Sequence, residues 1–180
     1  MIRCFALLAL VGAAAAAHSD EIVIDFEKAE IGKPVASWTD KGVVFNLAGP
    51  LAHSQAKGRV MFFPHLATNH KGILNAMATE QAIPVQATFP TSASSVTLVL
   101  WGSTGCPALL EALDKNGEVV DKASVAAVPG RKSPADPVPF FELTVNAPDA
   151  SAIAAIRFSG PRNGEFLAAE EIRFTTVEAK

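Results

Sequence analysis

The chain predicts an all-β fold, an antiparallel β-sandwich of jelly-roll type built as one domain. Three observations carry that expectation. Short apolar segments recur along the 180 residues, punctuated by Gly, Pro, Asn and Asp. Several of them alternate apolar and polar with period two, the signature of a half-buried strand. No internal repeat and no linker divides residues 20–180, so eight to ten strands share one core.

The elements follow in order. Met1 to Ser19 carries one Arg, an apolar run from Cys4 to Ala17 and then small residues. That is the three-part pattern of a secretory signal peptide, too short to span a bilayer as a helix. Export to the periplasm or the exterior is therefore expected, with residues 20–180 as the mature domain and no membrane span in it. Ile22 to Phe26 alternates cleanly, with Ile22, Ile24 and Phe26 on one face. Gly42 to Asn46 and Arg59 to Phe63 are the next strands, and Gly72 to Gln81 is expected to hold a helical turn. Val85 to Phe89 and Ser95 to Trp101 are read as two strands, the second with Val96, Leu98 and Leu100 inward. The Gly102-Ser103-Thr104-Gly105 run is a tight turn, because its glycines do not stand two residues either side of Ser as a nucleophile elbow requires.

Pro107 to Gly117 has helix punctuation, but Asn116-Gly117 between two apolar runs favours a hairpin with a type I′ turn. Val128 to Pro139 holds four prolines and is a loop. Phe140 to Val145, Ala152 to Phe158 and Glu171 to Thr175 are the closing strands. The core is expected from Ile22, Ile24, Phe26, Val96, Leu98, Leu100, Phe141, Ile156, Phe158, Ile172 and Phe174.

Composition narrows the function classes. Apolar residues are 49% and charged residues 18%, which excludes a disordered chain. A net charge of −3 without a basic block excludes nucleic-acid binding by broad phosphate attraction. Removal of the leader leaves Cys106 as the single cysteine, so the mature domain has no internal disulfide. Cys106 is expected to be a small buried apolar residue.

The two ends of the chain carry a resemblance. Ile24-Asp25-Phe26-Glu27, Gly32 and Gly42-Val43-Val44-Phe45 open it. Ile156-Arg157-Phe158, Gly164-Glu165-Phe166 and Glu170-Glu171-Ile172-Arg173-Phe174 close it. Together they resemble galactose-binding-domain-like jelly-roll modules of exported bacterial proteins. The resemblance implies the fold, and it implies that carbohydrate binding or a structural Ca²⁺ is in the repertoire; one fold hosts many functions.

Four constellations bear on chemistry. Asp25 and Glu27 share a strand face, and Glu171 lies opposite Ile172 and Phe174. If the terminal strands meet, three carboxylates converge as a Ca²⁺ ligand set. His65 and His70, with His53 nearby, are the residue type for zinc and for a small metal-dependent hydrolase, but their spacing matches no metal signature. Trp38 and Trp101 are the two indoles, the residue type on which a sugar's C–H face stacks. Trp101, ending an apolar strand, is expected in the core. Trp38 is the expected platform, with Asn69, His70 and Arg162 hydrogen-bonding around it. None of the 18 Asp and Glu sits in a motif of a catalytic carboxylate pair. The sequence therefore points to an exported, non-catalytic binding module whose partner is a carbohydrate or cell-surface polymer. A structural domain that contacts other proteins is the alternative.

Overall fold

The computed structural model describes residues 21–48, 60–65, 71–74, 76–77, 82–148, 152–160 and 167–177. The leader, His53, Asn69, His70 and Arg162 lie outside the described residues. So does the Gly164-Glu165-Phe166 motif.

Every regular element described is a strand, and every pairing is antiparallel. Eleven strands form one hydrogen-bonded network that folds into two layers. Its spine is β8 (Val85–Gly102), 18 residues long. The sequence suggests two strands here, Val85 to Phe89 and Ser95 to Trp101. They are one, because the intervening Pro90 to Ser94 stays extended. Ala93 marks the change of layer: it pairs with Ile153 of β12 (Ile153–Ser159) and with Thr176 of β13 (Leu167–Thr176).

The first layer runs β2 (Trp38–Asp40), β3 (Val43–Leu47), the N-terminal part of β8, β12, β9 (Ala108–Leu113) and β10 (Val119–Val125). In the second, β11 (Phe141–Asn146), the C-terminal part of β8 and β13 lie side by side. Along the free edge of β13, β1 (Glu21–Ile24) covers one end. β5 (Lys71–Leu74), with β4 (Met61–Pro64) beyond it, covers the other. Two short strands, β6 (Ala76–Met77) and β7 (Ala82–Ile83), make a separate ribbon. Among the described residues of the Gly72 to Gln81 stretch, β5 and β6 stand where a helical turn was expected. Propensity favoured a turn of helix there, but the exposed edge of β13 offered backbone partners, and pairing with Ala168 and Ala169 won.

The alternating pattern is what welds the layers. Val43, Phe45, Leu47, Val85, Ala87, Leu110, Ile156 and Phe158 of the first layer are buried. They form one cluster with Ile24, Val96, Leu98, Leu100, Leu143, Val145, Ile172 and Phe174 of the second. Each such large side chain withdrawn from water contributes roughly 1.5–3 kcal/mol before entropy is charged. Ile22 and Phe141, expected in the core, are half-buried at its rim.

Three turns show local chemistry at work. The β9–β10 hairpin is not type I′, since Gly117 alone has positive φ (81°) and Asn116 does not. Instead Gly117 N–H bonds to Asp114 C=O at 3.0 Å and Asp114 N–H to Glu118 C=O at 2.9 Å. That is a three-residue loop, a type I turn followed by a left-handed glycine. The Asp114 carboxylate stabilises it by accepting the N–H groups of Asn116 (2.8 Å) and Glu118 (2.9 Å). The type I′ geometry appears instead between β2 and β3, where Lys41 (φ 46°) and Gly42 (φ 80°) both lie in the left-handed region. The tight turn at Ser103 to Cys106 is present, closed by a Cys106 N–H to Ser103 C=O bond of 3.3 Å. Cys106 itself is half-exposed rather than buried, because it sits on this corner and not in a strand.

Candidate functional site

The two indoles lie in different layers and in different company. Trp38 stands on the short edge strand β2, opposite Phe45 in register. Its ring packs against Phe26 (5.3 Å between centroids), Phe45 (5.5 Å) and Phe62 (5.3 Å). The three phenylalanines are fully buried, and Trp38 is half-exposed. It therefore packs on the rim of the core beside Phe26, Phe45 and Phe62, and the residue as a whole is only partly buried.

The turn that delivers Phe26 explains this placement. Asp25 accepts the Glu27 N–H at 3.2 Å, and Phe26 C=O accepts the Ala29 N–H at 2.9 Å. Phe26 takes a left-handed conformation, φ 55°, uncommon for so large a side chain. Burial of its ring among three aromatic neighbours is the compensation the structure offers for that strain.

Two lysines reach backbone carbonyls in and beside this turn. The Lys41 ammonium donates to Val23 C=O, and the Lys71 ammonium donates to Glu27 C=O. The Lys71 N–H reaches Glu27 Oε1 at 3.3 Å. Lys28 and Asp40 stand 3.9 Å apart across the same corner. The expected calcium set of Asp25, Glu27 and Glu171 is not gathered. Ile24 pairs with Ile172, so the terminal strands do meet. Glu171, however, faces Arg173 Nε at 2.9 Å, while Asp25 is engaged in its own turn. Among the described residues no three His, Cys, Asp or Glu side chains come together as metal donors.

Trp101 is 4% exposed and forms a small second cluster with Ala168, Val138 and Phe140. His65, 1% exposed, sits edge-on to it at 5.0 Å and packs against the Phe140 ring at 4.4 Å. Its Nε2 lies 3.1 Å from Val138 C=O. This histidine ties β4 to the proline-rich loop and is sheathed in aromatic carbon. The expected core role of Trp101 holds.

The outer faces of the two layers differ in how far their polar groups are used. On the second layer they bond to one another. Ser95 bonds Asn146 (2.9 Å), Thr97 bonds Thr144 (2.9 Å), and Arg173 is held by Glu142 and Glu171. The guanidinium pKa is raised by its hydrogen bond to Glu142, against the opposing effect of burial. On the first layer a row runs in register across five strands: Asn46, Gln86, Arg157, Glu111 and Lys122. Each of the first four is flanked in its strand by buried residues, so its side chain points outward. Glu111 accepts from Arg157 Nη2 at 3.1 Å and from Lys122 at 3.2 Å. Sequence reasoning missed this row because its members are 11 to 71 positions apart; only strand register aligns them.

No protein-family model and no curated protein matches the chain. Solved structures resemble it in shape. The K2 cleaved adhesin domain of Lys-gingipain matches at a TM-score of 0.49 and 12% identity, covering 88% of this chain and 99% of that one. The CBM6-3 module from Clostridium stercorarium, solved with cellobiose, matches at 0.40 and 11%, covering 73% and 86%. The Clostridium thermocellum xylanase 10B modules, solved with xylohexaose, match at 0.43 and 10%, covering 76% and 26%. Likenesses at this level say nothing about what this chain binds.

Proposed function

We propose that the protein is an exported, non-catalytic module that binds carbohydrate. The observation that carries the reading is Trp38, a partly buried residue whose indole packs against three phenylalanine rings. A sugar's C–H face stacks on such a platform at little entropic cost, because the ring is already immobile. Asn69, His70 and Arg162 are proposed to hydrogen-bond the ligand. The exposed large apolar side chains among the described residues, Ile31, Val44, Val119 and Val177, stand on four separate segments.

The test uses Trp101→Phe, which leaves Trp38 as the sole indole. The variant is titrated with a panel of oligosaccharides, reading indole emission and melting temperature together. A ligand at a hundred times its Kd stabilises by about 2.7 kcal/mol. An emission change with a raised melting temperature for one sugar class supports the reading. A raised melting temperature with unchanged emission removes Trp38 from the site, and no response to any sugar overturns the function.

A further inference from the structure

We propose that the tip of the proline-rich loop, Arg131 to Ser133, is the chain's site of limited proteolysis by an endoprotease that cuts after Lys or Arg, and that the cut chain stays folded as two interlocked fragments. The reaction is a hydrolysis. Water adds across the Lys132–Ser133 amide: its oxygen goes to the Lys132 carbonyl carbon as the C–N bond breaks, and its protons leave a Ser133 ammonium beside a Lys132 carboxylate. The site is independent of Trp38 and of any ligand.

Arg131-Lys132 is the one place in the sequence where two of the 15 Lys and Arg adjoin. Arg131, Lys132, Ser133, Pro134 and Ala135 are all exposed and lie outside any strand. Exposed loop tips of small and polar residues are where proteases nick folded domains. The hydrogen bonds of the tip are local. Arg131 Nη1 donates to Pro134 C=O (3.2 Å), Ala135 N–H to Ser133 Oγ (3.4 Å) and Asp136 N–H to Ser133 C=O (3.0 Å). Opening these few exposed bonds lets the tip extend into a protease cleft without disturbing a strand. The arms of the loop are pinned on either side. Val128 is buried; its N–H bonds Cys106 C=O at 2.7 Å, and its C=O accepts the Gly105 N–H at 2.9 Å. On the other arm Val138 C=O lies 3.1 Å from His65 Nε2, and Phe140 packs on the His65 ring. A cut at the tip therefore leaves both arms attached.

The other basic residues among those described are poorer sites. Lys71, Lys122, Arg157 and Arg173 lie within strands. Lys28 precedes the buried Ala29, whose N–H is bonded to Phe26 C=O. Lys33 precedes Pro34, and a bond to a proline nitrogen resists such proteases. Lys41 sits at positive φ in a two-residue turn, and Lys115 in the hairpin loop that the Asp114 carboxylate clamps. The topology then decides what a cut at Lys132 does. It divides the chain between β10 and β11. The C-terminal part of β8, in the first fragment, lies between β11 and β13 of the second. β12, in the second fragment, lies between β8 and β9 of the first. Each fragment holds a strand of the other between two of its own, so separation requires both layers to come apart.

The experiment is limited digestion of the folded chain with trypsin, read by intact mass, N-terminal sequencing and gel filtration. The proteins are wild type, the double variant Arg131→Gln/Lys132→Gln, and Lys115→Gln as a control at another exposed turn. The first cut downstream of the leader should create a new N-terminus at Ser133 or Lys132. The nicked protein should elute in buffer as one species of unchanged size and separate into two in denaturant. Its melting temperature, unlike that of the intact chain, should fall on dilution, because unfolding now releases two molecules. The double variant should be cut there about tenfold more slowly or less, since the specificity pocket of such a protease needs the positive charge. It should melt as wild type does, and Lys115→Gln should be cut as wild type is. A first downstream cut after Lys57, Arg59, Arg162 or any other basic residue overturns the site, as does resistance of the wild type or an undiminished rate in the double variant. Fragments that separate in buffer overturn the interlock.

Discussion

Trp38 and Trp101 both lie on strands, and the fold treats them in opposite ways. Trp101 is covered from above by Phe140 and Val138 of the proline-rich loop and from the side by His65. Trp38 has a full aromatic floor in Phe26, Phe45 and Phe62, but its strand is three residues long and stands at the sheet edge. A tryptophan becomes core when another layer crosses it, and remains a candidate platform when the sheet ends beside it. The residue type decides neither.

The largest effect expected from this difference is on stability. Trp101→Ala should cost about 3–5 kcal/mol, the range for emptying a core aromatic site. Trp38→Ala should cost about 2 kcal/mol, because the residue is only partly buried. Denaturant unfolding of both variants checks the order, and an equal or larger cost at Trp38 would break the comparison.

Next in size is Gly72→Ala on β5. A Cβ there would meet Ala169 C=O at 3.1 Å, Trp101 Nε1 at 3.2 Å and Ala168 Cβ at 3.3 Å. Two of these neighbours are fixed, one by the β13 backbone and one by the buried indole, so roughly 1–3 kcal/mol is lost. A small-residue change near Trp38, such as Gly32→Ala, meets nothing within 4 Å but carries the strain of φ 71°. Melting both variants separates crowding at the covered indole from backbone strain at the open one.

A smaller effect concerns the turn beneath Trp38. With Lys41 and Lys71 on the carbonyls of Val23 and Glu27, EDTA and millimolar Ca²⁺ should give the same melting curve. Lys41→Met/Lys71→Met should melt slightly lower, since each exposed charge-assisted bond is worth about 0.2–1 kcal/mol. A calcium-dependent shift in wild type would overturn the assignment of those carbonyls to lysine.

The smallest is a pH effect far from both indoles. The Glu118 N–H bonded to Asp114 lowers that carboxyl's pKa below its ordinary value; burial opposes this, and Asn116 and Gly117 reinforce it. A lowered folded pKa means stability that is present above the unfolded value, near 4, and lost as pH falls through the folded one. Asp114→Asn should therefore be slightly less stable than wild type at pH 7, with the gap closing below about pH 4. A gap that persists at pH 2 would show that the carboxylate's charge is not what holds the hairpin.

Much of this fold was legible in the sequence, because strand periodicity is local. Ile24, Leu98, Phe158 and Phe174 announce their inward face by alternation alone, and all are buried. The hairpin at Asn116-Gly117 was legible for the same reason, although the turn chosen has one left-handed residue and not two. The stretch Gly72 to Gln81 was not, because its strands exist only where β13 and a short ribbon supply backbone partners.

The site divides along the same line. That Trp38 is an indole, that Asp25, Glu27 and Glu171 are carboxylates and that the chain lacks a catalytic signature follow from composition and order. That Trp38 packs on Phe26, Phe45 and Phe62, that lysines reach the carbonyls of Val23 and Glu27, and that Asn46, Gln86, Arg157, Glu111 and Lys122 stand in one line were settled by tertiary structure. The physical reason is distance along the chain. Period and turn chemistry act over a few residues, whereas strand register and the packing of one layer on another join residues many tens of positions apart.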